Sequence, residues 1–295
     1  MMPSVAAWLL ARPQNAVFAL AITMLMPILP TIGGAILMLV ALQQDLRRAI
    51  IIAAAAGAVL LTVALVSGAS LLQALIQLGS LWIPILGLAA AMRATRSLIL
   101  TMQLSVIVVL MGTCLFFALT SDPVGFWQQV IAAEPVLQAL QLQEWQSAVG
   151  ATDEQFAGVM TTMFAIGFWF GLIGVLLLGY WLYQQVPGNS SQYGRFSDLN
   201  FGRVIASLLA VTSVIGFAVD AVWIQSIAFL LFAVFWLQGA AMVHWLHRKG
   251  HVPLFAVSAA YILTLFVAQY VGTALAVLGY TDAWFQYRNL VTKQQ

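Results

Sequence analysis

The sequence predicts an all-α, polytopic bundle of eight or nine membrane helices, with amphipathic helices in one long outer loop. Three observations predict it. Hydrophobic residues make up 63% of the chain and charged residues only 7%, too few to clothe a soluble domain of 295 residues. The apolar residues form continuous blocks without the period-two alternation of barrel strands. The ionisable residues sit almost wholly in the gaps between blocks.

A hydrocarbon core of about 30 Å needs roughly 20 apolar helical residues. Residues 16–42, 49–67, 71–92, 98–119, 156–183, 204–219, 222–245 and 252–278 supply such blocks, the sixth being the shortest. Pro27, Pro30, Gly33 and Gly34 interrupt the first block, which therefore reads as two short helices over 16–29 and 31–42. The chain is then a single integral membrane domain. N-terminal helices occupy 16–119, an acidic outer segment 120–155, C-terminal helices 156–279 and an interfacial tail 280–295.

Lys and Arg are retained on the cytoplasmic side, so their positions orient the helices. Arg47 and Arg48, Arg93 and Arg96, Arg195 and Arg203, and Arg248 and Lys249 mark four inner gaps. The gap near Gly68, the 120–155 segment and the turn at Asp220 carry neither residue and face outward. Breaking the first block places Arg12 inside with the others. The last block has no visible break near Gln269 and would deliver Arg288 and Lys293 outside, against the rule, so the sequence leaves the side of the C-terminal end open.

The outer segment holds Asp122, Glu134, Glu144, Asp153 and Glu154, five of the nine acids. Asp122 followed by Pro123 is a helix start, and Phe126, Trp127, Val130 and Ile131 recur at helical spacing. Glu134 and Pro135 begin a second amphipathic piece with Val136, Leu137, Leu140 and Trp145. Thr152 and Gln155 have the spacing of a capping box for the next crossing.

Within the blocks, Gln73, Gln77, Gln103, Gln238 and Gln269 are the candidate ligand-binding residues. A buried amide without a partner is costly, so these should face one another or a hydrated cavity. Asp220 either caps the helix after it or serves as an ion or proton ligand. Gly167, Gly171, Gly174 and Gly179 line one helix, Gly167 and Gly171 at the four-residue spacing that favours close helix packing. Trp169, Trp181, Trp223, Trp236, Trp245 and Trp284 read as an interfacial belt.

Several classes are excluded. His244, His247 and His251 recur at spacings of three and four, yet Gly250 and Pro253 break the helix and Arg248 and Lys249 repel a cation, so no metal is expected. There is no His-Glu-x-x-His pair, Gly-x-Ser-x-Gly elbow or Walker loop, so no catalytic residue, enzyme or cofactor is expected. The basic residues are scattered, which argues against nucleic acid. A single cysteine, Cys114, builds no disulfide framework. Residues 1–15 lack the basic region and cleavage site of a signal peptide, so no removal is expected.

Leu237, Gln238, Gly239, Ala240 and Val243 with the run His247 to Gly250 resemble the penultimate helix of the YybS-like bacterial membrane proteins. Gly279, Asp282, Trp284, Phe285 and Arg288 look like that family's closing motif. The early run of Pro27, Pro30 and 35–42 is similar to a broken first hairpin, also found in substrate-binding subunits of energy-coupling-factor transporters. The resemblance implies a multi-pass protein of a bacterial inner membrane in a family of unassigned function, whose distant likeness to vitamin-capturing subunits implies, by analogy alone, a bundle that binds a small molecule from outside. The residues themselves read the closing motif as an interfacial anchor: Asp282 caps a short helix, Trp284 and Phe285 sit at headgroup depth, and Arg288 reaches lipid phosphate.

Two functions follow as expectations. The first is a transporter-like or ligand-capturing bundle, its pocket beneath the 122–154 segment and lined by glutamines and tryptophans. The alternative is a non-enzymatic membrane scaffold that binds other membrane proteins through the glycine face and basic inner loops. The lipid bilayer is the partner in both.

Overall fold

The structure, a computed structural model, describes residues 5–26, 29–133, 137–138, 142, 146–147, 150–189, 192–219 and 221–288. The described residues form eleven α-helices and no strand. They are α1 (Val5–Ala11), α2 (Pro13–Leu25), α3 (Pro30–Gln43), α4 (Leu46–Val66), α5 (Leu71–Thr95) and α6 (Leu98–Leu119). There follow α7 (Pro123–Ala133), α8 (Asp153–Gln184), α9 (Gly202–Val219), α10 (Val222–Arg248) and α11 (Leu254–Phe285).

Six helices, α4, α5, α6, α8, α9 and α10, are long and apolar enough to cross a bilayer, as in a multi-pass membrane protein. The pair α1 and α2 passes the same test together but bends by 115°. Two of the apolar blocks are not single helices, the first as its proline and glycine cluster predicts and the second against expectation. The block at 16–42 divides into α2 and α3, and α3 at 14 residues spans about 21 Å, short of the hydrocarbon thickness. The block at 252–278 lies in α11, whose backbone leaves helical geometry at Val267 (φ −136°, ψ 47°).

The chain clusters into two compact units, whose members are interleaved along the sequence. The first contains Met1–Ser105 and Trp169–Phe196. Its centre is α3, buried at every residue from Gly33 to Leu42 and packed on α2, α4 and α5. A helix apolar on all sides suits that position. Glycines bring its neighbours close: a β-carbon on Gly34 would stand 2.7 Å from Ile85, and one on Gly179 of α8 2.6 Å from Met38. Pro30 opens α3 at a first-turn position where its missing N–H costs nothing. At the other end, Arg93 donates to the carbonyls of Ala41 (2.6 Å) and Leu42 (3.3 Å). That guanidinium meets the negative end of the helix dipole. Asn189 donates to Gln43 (2.5 Å), so the C-terminal ends of α3, α5 and α8 gather at one end of this unit.

The second unit contains Val106–Phe168 and Ser197–Gln295. Asp122 accepts from the Gly125 amide (2.9 Å) and Pro123 is the first residue of α7, as the sequence predicts. Thr152 and Gln155 exchange side-chain and backbone hydrogen bonds at 3.0 and 3.2 Å, closing the expected capping box before α8. The second amphipathic piece falls largely on Glu134, Pro135, Val136, Leu140 and Trp145, which lie outside the described residues. Helices α10 and α11 meet backbone to backbone. A β-carbon on Gly239 would overlap the Leu275 carbonyl, and one on Gly279 the Phe235 carbonyl.

Arg288 is corrected by this fold. It donates to the carbonyls of Ser197 (3.0 Å) and Leu199 (2.8 Å), while Arg248 pairs with Asp198 at 2.6 Å. Arg203, at the start of α9, donates to the Trp284 carbonyl (3.4 Å). Arg203, Arg248 and Arg288 therefore share one end of the unit, and α11 does not carry Arg288 to the opposite one.

Candidate functional site

A buried polar cluster of the second unit is built around Gln238 on α10, whose side chain is fully buried. Its carbonyl oxygen accepts from the Phe201 amide (2.7 Å), and its nitrogen donates to the Gly279 carbonyl (2.9 Å) and to Asp282 (3.3 Å). Asp282 is also buried, and Arg288 approaches it to 3.4 Å. The pairing is possible because α11 stops at Gln286. That residue takes the left-handed conformation (φ 50°) and its amide bonds the Asp282 carbonyl, turning the chain back on itself.

Asp282 lies beyond the apolar block that ends at Leu278. Burial pushes its carboxyl above the ordinary range, opposed by Arg288, Gln238 and the Tyr287 amide. Burial likewise lowers Arg288, opposed by Asp282 and Asp198. Both groups face partners inside the protein, Asp282 through Oδ2, its Oδ1 being buried without a hydrogen-bond partner among the described residues. This cluster is a strut tying the 197–201 segment to α10 and α11.

The anchor reading of 282–288 is corrected accordingly. Asp282 does not cap an interfacial helix but closes the last turn of α11 from within, and Arg288 reaches backbone carbonyls in place of lipid phosphate. Phe285 alone of the four is an exposed ring, and Trp284 is half-buried.

The other candidates scatter. Gln73, Gln77 and Gln269 are exposed, Gln103 is half-buried, and only Gln238 of the five is interior. Gln73 and Gln77 occupy the first turns of α5, just after its Ser70 cap, with their side chains exposed. Asp220 lies outside the described residues. Gly167 and Gly171 are exposed with open space above them, and Gly174 meets only Thr31 at an ordinary 3.7 Å. Close packing falls on Gly33, Gly34, Gly158, Gly239 and Gly279 and, of the glycines expected on α8, on Gly179. Among the tryptophans, Trp169 belongs to no belt: it is fully buried and donates to Ser105 (3.0 Å). His244 bonds the Tyr261 hydroxyl (2.7 Å) and His247 the Val252 carbonyl (2.9 Å).

A cavity of about 520 Å³ lies beneath α7, in the region where the sequence places a pocket. Val109, Gly112, Thr113 and Phe116 of α6 form one wall, and Thr161, Phe164 and Phe168 of α8 the other. Phe126, Trp127 and Val130 of α7 make its roof. The rings are in mutual contact: Trp127 lies 5.3 Å from Phe126, 6.4 Å from Phe116 and 6.1 Å from Phe164. The Trp127 indole donates to Thr161 (2.8 Å), which fixes the roof to α8. The adjoining face of α7, with Val124, Gln128 and Ile131, borders a second cavity of about 460 Å³ in which Gln146 donates to Asp153 (2.8 Å).

Sequence reasoning finds Trp127 and the helix that carries it, but not the α6 and α8 walls, whose residues look like ordinary membrane-facing positions. The two motifs quoted for the YybS-like resemblance, 237–250 and 279–288, do meet in space, through Gln238, Gly279 and Asp282. No family model matches this chain, and neither a curated protein nor a solved structure matches it.

Proposed function

We propose that this chain is a transporter-like, small-molecule-capturing protein of a bacterial inner membrane, and that the cavity beneath α7 receives the ligand. The cavity carries the reading: an aromatic-walled space of about 520 Å³, open on one side and roofed by an amphipathic helix, is the size and character of a small-molecule site. The resemblance to YybS-like proteins and to energy-coupling-factor subunits agrees with it as analogy, although the glutamines expected to line such a pocket are elsewhere. The Trp127–Thr161 bond holds α7 to α8 and Thr113 bonds within α6, so the polar groups of the wall are engaged in structure and the reading is capture and not catalysis.

Arginine placement orients the bundle. With α2 and α3 as one broken hairpin and α11 as another, every Arg-bearing gap and the C-terminal segment fall on the cytoplasmic side, and α7 lies outside.

The test is thermal unfolding of the purified protein against a panel of vitamins, nucleobases and lipids. A ligand of this site raises the midpoint with concentration. A flat panel sinks the reading and favours a scaffold, for which the exposed Gly167 and Gly171 on α8 offer a face open to another helix.

A further inference from the structure

The cavity beneath α7 has a chemical preference, and this inference rests on the capture reading above. We infer that its ligand is a hydrocarbon chain, acyl or isoprenoid, which arrives sideways from the bilayer.

Three polar hydrogens belong to side chains of the cavity wall, and each is already donated within the protein. Thr113 donates to the Val109 carbonyl (2.9 Å), Thr161 to the Ala157 carbonyl (2.9 Å), and Trp127 to the Thr161 oxygen (2.8 Å). The remaining lining is Val, Gly, Ala and Phe. A polar ligand would leave its hydrogen bonds to water and find no free donor in return. An apolar ligand loses nothing of the kind and gains on every surface it buries.

Size agrees with a chain and not a single small ring. The volume of about 520 Å³ is more than three times the roughly 150 Å³ of an apolar cavity that holds one benzene. The route follows from exposure. Val109, Trp127 and Ala165 are buried at the back of the cavity, whereas Val108 and Phe164 at its rim are 59% and 65% exposed. Both rim residues lie on α6 and α8, helices of membrane-crossing length, so the open side faces lipid.

Gly112 provides the test. A β-carbon placed there meets nothing within 4 Å, so Gly112→Leu adds a branched side chain to the cavity wall with no clash at its base. The full chain, purified in detergent, is heated with oleic acid, farnesol, uracil or riboflavin, and the unfolding midpoints of wild type and variant are compared. Oleic acid, farnesol or both should raise the wild-type midpoint by several degrees and leave Gly112→Leu unmoved, and the responding probe identifies the chain type. A shift by uracil or riboflavin that Gly112→Leu abolishes would keep the capture reading and overturn the hydrocarbon class. Equal responses of wild type and variant to all four overturn both. Val130→Phe, which fills the cavity from its roof, repeats the comparison if Gly112→Leu folds poorly.

Discussion

Gln238 on α10 and Asp282 on α11 share a 3.3 Å hydrogen bond at a point where both side chains are wholly buried. The same amide holds the Phe201 N–H and the Gly279 carbonyl, so one side chain ties together three segments far apart in sequence. Since each partner is out of water, none can replace the bond it loses.

Gln238→Leu therefore leaves the Phe201 amide and part of the Asp282 carboxylate unsatisfied. At about 1–3 kcal/mol for each orphaned group, the variant should lose about 2 kcal/mol or more. Thermal unfolding in detergent measures it, and a wild-type midpoint would show that the cluster contributes no stability.

The Asp282 carboxyl adds a pH dependence of unusual sign. Burial raises its folded pKa above the ordinary value of the unfolded chain. Between those two values the native state holds the extra proton, so stability falls as pH rises through the window and levels off above it. Asp282→Asn removes that slope, and the unfolding midpoints of wild type and variant should differ most in their pH trend on the acid side of neutrality. Parallel profiles from acid to neutral pH would refute the assignment.

Much of this was legible in residue order. The apolar blocks fix the class, Pro27 to Gly34 announces the break between α2 and α3, and Asp122, Pro123, Thr152 and Gln155 place two helix starts correctly. The break in α11 leaves no such mark, because Val267 is flanked by neither proline nor glycine. The Asp282–Arg288 pair is hidden for a related reason. Polar residues after a last apolar block ordinarily go to the interface, and only the left-handed turn at Gln286 folds these inward. Gly167 and Gly171 mislead because four-residue spacing identifies a helix face but not whether another helix lies against it. Gly239 and Gly279 do the close packing while 40 positions apart, beyond the reach of any local pattern.

The glycines give a clean contrast. Gly279→Ala drives a β-carbon into the Phe235 carbonyl, a backbone atom that cannot rotate away, and should cost about 1–3 kcal/mol or more. Gly167→Ala meets open space within a helix and should be neutral or stabilising by up to about 1 kcal/mol. Folded yield and thermal midpoint report both, and equal tolerance at the two positions would contradict the α10–α11 crossing.

The last expectation concerns which side the C-terminal segment occupies. Arg248 and Arg288 both bond Ser197, whereas Val219 closes α9 at the far end of the 27-residue α10, about 40 Å along the helix from Lys249. In a Cys114→Ser background, needed because that thiol is exposed, single cysteines replace Lys249, Gln286 or Val219. A membrane-impermeant maleimide applied to whole cells should label Val219→Cys and spare the other two, which react once the membrane is opened. The broken α11 and the arginine rule demand that Lys249→Cys and Gln286→Cys behave alike. If Gln286→Cys instead reacts with Val219→Cys in intact cells, α11 crosses the bilayer completely, and the bonds from Arg288 to Ser197 and Leu199 do not form in the membrane.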